Sequence, residues 1–188
     1  MQVVVAMQGF TAMGGLERDC LATLQQLVAR SHDVTLLTQA PNEAIPESIH
    51  QVVHARSARQ NHRNNLDFAR WCQASLPRTP YDVSLTFNKI AGFDFYFAGD
   101  ACYRHRRGQW WRRWMPRVRT LMALERELMW PGANTQILSL TQQQIAQYCR
   151  HYGTESRRMH RLPVAVKPKY FEPLTEPRRM LRSRLGIG

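Results

Sequence analysis

The chain has 188 residues and a mass of 21.9 kDa, a length typical of one domain with an ordinary hydrophobic core. Its 44% hydrophobic and 21% charged residues exclude a disordered tail and a coiled coil. The formal net charge of +12 favours a polyanionic partner, such as nucleic acid, an anionic membrane or a phosphorylated substrate.

Local patterns argue against a leader, a membrane span and a metal centre. The first fifteen residues lack the basic start and the small-residue cleavage site of a signal peptide. No apolar run approaches the ~18 residues that a membrane-spanning helix needs. The four cysteines lie far apart, without a CxxC pair or histidines at ligand spacing, so we expect reduced core thiols and no metal site.

The hydrophobic pattern alternates short apolar runs with helical stretches. Val3–Met7 is typical of a strand buried on both faces, and Gly14-Gly15 opens a helix that ends near Ser31. Further strands are predicted at Asp33–Thr38, Ile49–His54, Asp82–Phe87, Phe93–Ala98, Gln136–Leu140 and Arg158–Val166. Further helices are predicted at Asn64–Ser75, at Pro116–Trp130, and from a Thr141 cap to Tyr152. This alternation predicts an α/β fold: a Rossmann-like, mostly parallel sheet with helices on both faces.

Loops that follow the predicted strands form a candidate ligand edge. Ligands of doubly wound sheets bind at the carboxyl ends of the strands, which brings residues 8–15, 88–92 and 99–100 to one edge. Gly14 and Gly15 let the backbone approach an anion such as a diphosphate at the start of a helix. They match neither the dinucleotide-binding nor the P-loop motif, and a flexible turn explains them about as well.

Four polar residues at this edge are candidate site residues. Asp19 lies one helical turn beyond the glycines and could reach a sugar hydroxyl, or its charge could simply favour the first turn of the helix. Asn88 and Lys89 supply an amide and a cation, or form a solvated loop. Asp100 could orient or deprotonate an acceptor hydroxyl, or cap the following segment. The residues alone leave these alternatives open.

Most of the positive charge lies in two regions that are inserts or edges of the predicted fold. Eight arginines and two glutamates occur between Ala101 and Trp130, and nine basic and two acidic residues occur between Arg157 and Gly188. The rest of the chain is nearly neutral. The fold itself therefore does not account for the charge.

The segment from Tyr103 to Trp130 combines arginine and tryptophan with an amphipathic helix. The residues expected at its surface are Arg106, Arg107, Trp110, Trp111, Arg112, Arg113 and Trp114. This composition is typical of an interfacial membrane segment, with the rings at headgroup depth and the arginines near anionic lipid. Binding of single-stranded nucleic acid and simple packing on the sheet are the alternatives. Glu125 falls within the apolar face, where it needs a cationic partner or a role in a site.

Three stretches, in order along the chain, resemble one known family. They are FTAMGGLERDCL (Phe10–Leu21), FNKIAGFDFYFAGDACY (Phe87–Tyr103) and LSLTQQQIAQYCRHYGTES (Leu138–Ser156). Over most of residues 1–166 the chain resembles the N-terminal half of a GT-B glycosyltransferase of family 4. Within that family it is similar to the enzymes that transfer glucose from UDP-glucose to a heptose of the lipopolysaccharide inner core.

The resemblance implies a role for each part of the chain. Residues 1–166 would be the acceptor-binding domain, and residues 167–188 a linker or the start of a C-terminal donor domain that this chain lacks. Gly14 and Gly15 would border the diphosphate of UDP-glucose, which is a donor substrate, and no further cofactor is implied. Asp19 and Asp100 would face the transferred sugar and the acceptor, with Asn88 and Lys89 binding substrate at the same edge.

The resemblance also bears on partners and location. The basic segment of the family is associated with docking on the inner leaflet, so we expect a peripheral protein on the cytoplasmic face of the inner membrane and no nucleic-acid partner. Because the donor half would be missing, we expect little sugar transfer by this chain alone. The alternative is a truncated, non-catalytic module that docks on anionic membranes or phosphorylated glycolipid.

Overall fold

The computed structural model describes residues 1–10, 14–42, 44–106, 114–163, 178–184 and 186. Within these ranges the strands are β1 (Gln2–Ala6), β2 (Asp33–Thr38), β3 (His50–Val53), β4 (Val83–Thr86), β5 (Phe95–Ala98), β6 (Gln136–Ser139) and β7 (Met159–Arg161). The α-helices are α1 (Gly15–Ala29), α2 (Asn61–Ser75), α3 (Tyr103–Arg106), α4 (Pro116–Met129), α5 (Gln142–Tyr152) and α6 (Arg178–Arg184).

The strands form one sheet in the order β3-β2-β1-β4-β5-β6-β7, and every described pairing is parallel. The chain starts at the centre of the sheet, runs to one edge, and returns to the other side of β1. The predicted Rossmann-like α/β fold is confirmed, and the sheet is wholly rather than mostly parallel in the described residues. The reversal of strand order between β1 and β4 is where such sheets open a crevice at their carboxyl ends.

Both faces of the sheet are buried. Alternate residues of β1 point to opposite faces, so each face can be followed from its own residues. Val3 and Val5 pack in a cluster with Cys20 of α1, whereas Val4 and Ala6 pack in a cluster with residues of α2 and α4. A third cluster joins β5, β6 and β7 to α4 and α5. Each fully buried valine or leucine contributes about 1.5–3 kcal/mol, so these layers hold the strand ends in fixed positions.

The ends of helix α5 follow directly from its sequence. The Thr141 side-chain oxygen accepts a hydrogen bond of 3.1 Å from the backbone N–H of Gln144 at the start of the helix. Gly153, with a φ of 68°, takes the left-handed conformation that ends it. The predicted cap and the predicted end at Tyr152 are both confirmed.

Arg158 differs from its predicted role. It lies in a short 3-10 turn before β7 rather than in the strand, and its guanidinium is buried. It donates hydrogen bonds to the carbonyl oxygens of Leu128, Trp130 and Thr135 at 3.0, 2.7 and 2.9 Å. Arg158 therefore satisfies carbonyls at the end of α4 and does not belong to an exposed basic C-terminal region.

The start of α2, the cysteines and the C-terminal segment can also be compared with the predictions. Helix α2 begins three residues earlier than predicted, at Asn61. All four cysteines are free thiols, and three are buried, as predicted for core residues. No helix of the described chain is long and apolar enough to cross a membrane. The predicted linker at residues 167–188 lies outside the described residues except for α6 and Gly186.

Candidate functional site

A cavity of about 290 Å³ lies at the carboxyl edge of the sheet, where the strand order reverses between β1 and β4. Its polar lining residues are Gln8, Asn65, Asn88, Lys89, Asp100 and Tyr103. Apolar side chains of α2 and α4 complete its wall. The structure thus brings together three of the predicted site residues, from the loops that follow β4 and β5.

Hydrogen bonds of amide side chains connect the loop after β1 to the loops after β2 and β4 and to helix α2. The backbone N–H of Gln8 donates to the Asn88 side-chain oxygen at 2.7 Å, which links the ends of β1 and β4. The Gln8 side-chain amide donates to Gln39 at 3.0 Å, and Gln39 exchanges hydrogen bonds with the buried amide of Asn64 at 2.6 and 3.1 Å. This network ties the wall of the cavity to the loop after β2 and to helix α2.

Lys89 is engaged within the protein as well as lining the cavity. Its ammonium nitrogen lies 3.0 Å from an oxygen of Glu125 on α4, whose side chain is completely buried. The cationic partner that Glu125 requires is therefore Lys89. The pairing places a positive charge at the cavity wall and holds that charge in one position.

Glu125 also organises the start of helix α3. Its two carboxylate oxygens accept hydrogen bonds from the backbone N–H groups of Tyr103 and Arg104, at 2.7 and 3.0 Å, and Tyr152 donates its hydroxyl at 2.6 Å. Burial and then this carboxylate raise the pKa of the Tyr152 hydroxyl, so the hydroxyl remains protonated as a donor. One buried carboxylate thus binds the cavity wall, α3 and α5 together.

Asp100 is exposed at the end of β5. Its backbone oxygen accepts a hydrogen bond of 2.6 Å from the Gln144 side-chain amide, which also donates to the Ala98 oxygen at 2.9 Å. Within the described ranges, no side chain forms an ion pair or hydrogen bond with the Asp100 carboxylate. The backbone is held while the carboxylate can bind a ligand.

The remaining predicted substrate residues lie at the start of α1 and do not line this cavity. Gly14 precedes the helix, Gly15 is its first residue, and Asp19 is exposed. A Cβ on Gly99 would lie 2.6 Å from the Leu16 Cδ1 atom, so the start of α1 packs closely against the end of β5. The glycines and Asp100 therefore share the carboxyl edge, as predicted, although only Asp100 lines the cavity.

The predicted membrane segment is described only at its ends. Trp114 and Met115, just before α4, are 76% and 49% exposed. The backbone of Arg106 lies in α3. The other predicted contact residues, Arg107, Trp110, Trp111, Arg112 and Arg113, lie outside the described residues.

Sequence reasoning missed Asn65, Tyr103 and Gln144. Gln144 carries a usable signal, because it shares the apolar spacing of α5 with Ile145 and Tyr148, where a buried amide needs partners. Asn65 lies at the polar start of α2, NHRNN, where nothing in the sequence singles it out. No group of three or more potential metal ligands occurs in the part of the chain that the structure describes.

Comparison with known proteins gives a strong similarity, although no protein-family model matches the sequence. The lipopolysaccharide glucosyltransferase WaaG of Escherichia coli (strain K12) is 32% identical over 192 residues, which cover 100% of this chain and 51% of WaaG. A crystal structure of WaaG, a glycosyltransferase involved in lipopolysaccharide biosynthesis, matches with a TM-score of 0.86 and 31% identity. That match covers 99% of this chain and 52% of WaaG.

More distant structures agree in fold alone. Sucrose-phosphate synthase from Thermosynechococcus elongatus matches all of this chain and 53% of its own, with a TM-score of 0.61 and 13% identity. Anabaena HepE, solved with UDP and glucose, matches 99% of this chain and 50% of its own, with a TM-score of 0.59 and 11% identity. The chain spans about half the length of the relatives it matches. It is related to WaaG along its whole length and has the fold of the N-terminal half of a GT-B glycosyltransferase.

Proposed function

We propose that this chain is the acceptor-side half of a glycosyltransferase that moves glucose from UDP-glucose to a heptose of the lipopolysaccharide inner core. The observation that carries the proposal is the 32% identity with WaaG over the whole chain. The cavity at the reversal of strand order supports it, because a carboxylate, a cation and several amides converge there. Such a mixture suits a sugar with many hydroxyl groups.

Asp100 is the proposed acceptor-binding carboxylate. A carboxylate at a cavity mouth can accept a hydrogen bond from the attacking hydroxyl and orient its oxygen toward the donor sugar. Gln8 and Asn65 provide amides for other hydroxyls of the acceptor. Lys89, fixed by Glu125, can donate a hydrogen bond to a substrate oxygen and positions the wall beside Asn88.

Gly14 and Gly15 are proposed to contact the diphosphate of the donor. The positive end of the α1 dipole favours a diphosphate, and the Glu17 carboxylate, which lies against Gly14, would turn away to admit it. Asp19, one turn later, would face a hydroxyl of the transferred sugar. Departure of the diphosphate requires electrostatic stabilisation, and in a GT-B enzyme a second domain supplies most donor contacts. We therefore expect little transfer by this chain alone.

The segment at residues 103–130 is proposed to dock on the anionic inner leaflet, on the cytoplasmic side. Trp114 and Met115 offer exposed apolar surface immediately before α4, and the segment as a whole contains eight arginines. Flotation with vesicles tests this proposal. Phosphatidylglycerol vesicles should recover more protein than neutral vesicles, and a Trp114→Ala variant should lower the recovery. Equal recovery by both kinds of vesicle would contradict an electrostatic dock.

Binding of the acceptor tests the main proposal directly. Calorimetry with detergent-solubilised inner-core lipopolysaccharide that lacks the outer core should give saturable binding by the chain. Asp100→Asn should weaken binding about tenfold, the effect of losing a hydrogen bond to a charged group. Asp33→Asn is the matched control, because Asp33 is exposed at the amino end of β2, on the opposite edge of the sheet. Equal effects of the two substitutions would contradict the proposed site.

Transfer itself is tested in a chimaera. Residues 1–163 of this chain, joined to the second half of WaaG, should incorporate radiolabelled glucose from UDP-glucose into the same acceptor. The same chimaera with Asp100→Asn should lose most of that activity. Transfer by the chain alone at the rate of the chimaera would refute the assignment of this chain to the acceptor side.

A further inference from the structure

A second concavity, of about 600 Å³, lies between α3, α4 and α5. We name it the basic pocket, and its lining residues are Arg104, Arg119, Arg126, Trp130, His151 and Tyr152, with Met122 and Ala123 between them. It shares no lining residue with the cavity at β1 and β4. Its volume falls within the range of about 300–1,000 Å³ that is typical of small-molecule sites.

The described lining of the basic pocket is positive and contains no acidic side chain. Glu125 lies on the same helix but is completely buried, and it is paired with Lys89. Glu127 lines an adjacent groove, between α2 and α4, which shares Arg119 and Ala123 with the basic pocket. The described lining of the pocket itself holds three arginines and one histidine and no carboxylate, so its local charge is positive.

Arg104 is held in position at the pocket wall. Its backbone N–H is fixed by Glu125, and its guanidinium donates a hydrogen bond of 2.7 Å to the backbone oxygen of His151. The guanidinium also lies 5.5 Å from the centre of the Tyr152 ring. A guanidinium has several N–H donors in a fixed plane, so donors remain for a phosphate after this one bond.

Trp130 gives the pocket an apolar surface beside the cations. Its side chain is 54% exposed, and the Arg126 guanidinium lies 5.3 Å from its ring centre. Arg119, Arg126 and Trp130 recur at helical spacing and so lie along one side of α4. A flat ring next to guanidinium groups can pack against the C–H face of a sugar while the guanidinium groups bind a charged substituent.

We propose that the basic pocket binds a phosphate group carried on a saccharide. A concave pocket with one aromatic wall suits a single sugar phosphate better than a flat bilayer, which engages protruding apolar side chains such as Trp114. The proposal rests on the proposed function only for the source of the ligand, a phosphorylated sugar of the acceptor glycolipid. The pocket would then be a second contact with the acceptor, separate from the cavity at Asp100.

Calorimetry with glucose 6-phosphate, inorganic phosphate and glucose tests the proposal at about 0.15 M salt, which screens weak surface attraction. Glucose 6-phosphate should bind more tightly than phosphate, and at least about tenfold more tightly than glucose. Arg126→Gln should weaken its binding about tenfold. Arg117→Gln is the matched control, because Arg117 is exposed on α4 outside the pocket, and it should change binding by less than about twofold. Circular dichroism checks that the variants are folded.

A second variant distinguishes the contribution of the sugar to binding from that of the phosphate. Trp130→Ala should weaken binding of glucose 6-phosphate and leave binding of inorganic phosphate within about twofold. Equal losses with Arg117→Gln and Arg126→Gln would overturn the proposal, because they would indicate general charge attraction. So would equal displacement of glucose 6-phosphate by soluble glycerophosphoglycerol, the headgroup of phosphatidylglycerol, because the pocket would then be a lipid headgroup site.

Different results would contradict the acceptor-side function and the phosphate site in the basic pocket. Asp100→Asn should leave binding of glucose 6-phosphate unchanged, because Asp100 does not line the basic pocket. Binding of the sugar phosphate without binding of inner-core lipopolysaccharide would refute the acceptor-side function and support the pocket. Binding of lipopolysaccharide that is insensitive to both Arg126→Gln and phosphatase treatment would refute the pocket alone.

Discussion

Lys89 and Glu125 form an ion pair of 3.0 Å between the loop after β4 and helix α4, with side-chain exposures of 14% and 0%. Removal of two charges from water costs several kcal/mol for each ion, and their attraction offsets this cost only while both partners remain. The pair therefore joins the wall of the cavity to the first turn of α3, because Glu125 also accepts the N–H groups of Tyr103 and Arg104.

Replacement of Glu125 should strongly destabilise the protein. Glu125→Gln leaves the Lys89 ammonium without its counter-charge in a largely buried position. Breaking such a pair on one side costs about 3–5 kcal/mol. Urea unfolding, followed by circular dichroism, should show a fall of that order in the free energy of unfolding.

Glu127→Gln is the control for this prediction. Glu127 lies two positions later on α4, is exposed, and accepts one hydrogen bond of 3.0 Å from Gln73. Its replacement should change the free energy of unfolding by less than about 0.5 kcal/mol. The double variant Lys89→Met/Glu125→Gln should recover part of the loss, because no uncompensated charge remains. Additive losses in the double variant would contradict a direct coupling.

Gln144 should stabilise the carboxyl end of β5. Gln144→Leu removes the donor for the carbonyl oxygens of Ala98 and Asp100, and the acceptor for the backbone N–H of Leu140. Unsatisfied buried groups cost about 1–3 kcal/mol each, so we expect a loss of about 2–3 kcal/mol in chemical denaturation. Because Asp100 loses its backbone support, binding of inner-core lipopolysaccharide should weaken as well.

Gln142→Leu distinguishes this effect from a general change of helix composition. Gln142 is the first residue of the same helix and is exposed. Its substitution should leave both the free energy of unfolding and the binding of lipopolysaccharide nearly unchanged. If Gln144→Leu behaves like Gln142→Leu, the amide does not support Asp100.

The fold was accessible from sequence because its strands are short apolar runs with clear boundaries. Asp33–Thr38 was predicted residue for residue, and Thr141 marked the start of α5 by local chemistry alone. Helix α3 was missed for a physical reason: the carboxylate that caps it belongs to Glu125, more than twenty residues later in the chain. A cap supplied by tertiary structure leaves no local signal.

The site could be predicted only in part, because some of its contacts also join residues that are far apart in the chain. Asn88, Lys89 and Asp100 follow strands, so the rule for parallel sheets brings them to one edge. The sequence marked Glu125 as a carboxylate in need of a partner, but it did not identify Lys89 as that partner. Arg158 was counted with its exposed basic neighbours because its three carbonyl acceptors come from a different part of the chain.

Arg158 should be essential for the packing of α4. Arg158→Met keeps much of the apolar length but removes the donors to the carbonyl groups of Leu128, Trp130 and Thr135. Since hydrogen bonds from a charged group contribute about 1.5–3 kcal/mol each, and some of this is offset by the lower cost of burying methionine, we expect a net loss of about 3 kcal/mol. Denaturant unfolding measures it.

Arg157→Met serves as the neighbouring control. Arg157 is exposed and forms an ion pair of 2.8 Å with Glu155. Exposed ion pairs contribute about 0–1 kcal/mol, so the control should lose far less stability than Arg158→Met. Similar losses at both positions would show that the buried hydrogen bonds are not decisive.

His151 should make the stability of the protein depend on pH. Burial, followed by the nearby His105, Arg104 and Arg150, lowers the pKa of His151 below its ordinary value of 6.5, while Glu125 acts in the opposite direction. Above pH 6.5 the histidine is neutral in both the folded and the unfolded chain, and the full stability is present.

As the pH falls below 6.5, the unfolded chain takes up this proton first, so the free energy of unfolding should decrease until the pH passes the lower pKa of the folded state. His151→Gln should reduce the slope of unfolding free energy against pH just below about pH 6.5. A phosphate bound in the basic pocket should also affect this pH dependence, because an anion there favours the charged form of His151. Saturating glucose 6-phosphate should therefore flatten the slope in the protein without substitutions. An unchanged slope would show that the phosphate does not bind close to His151.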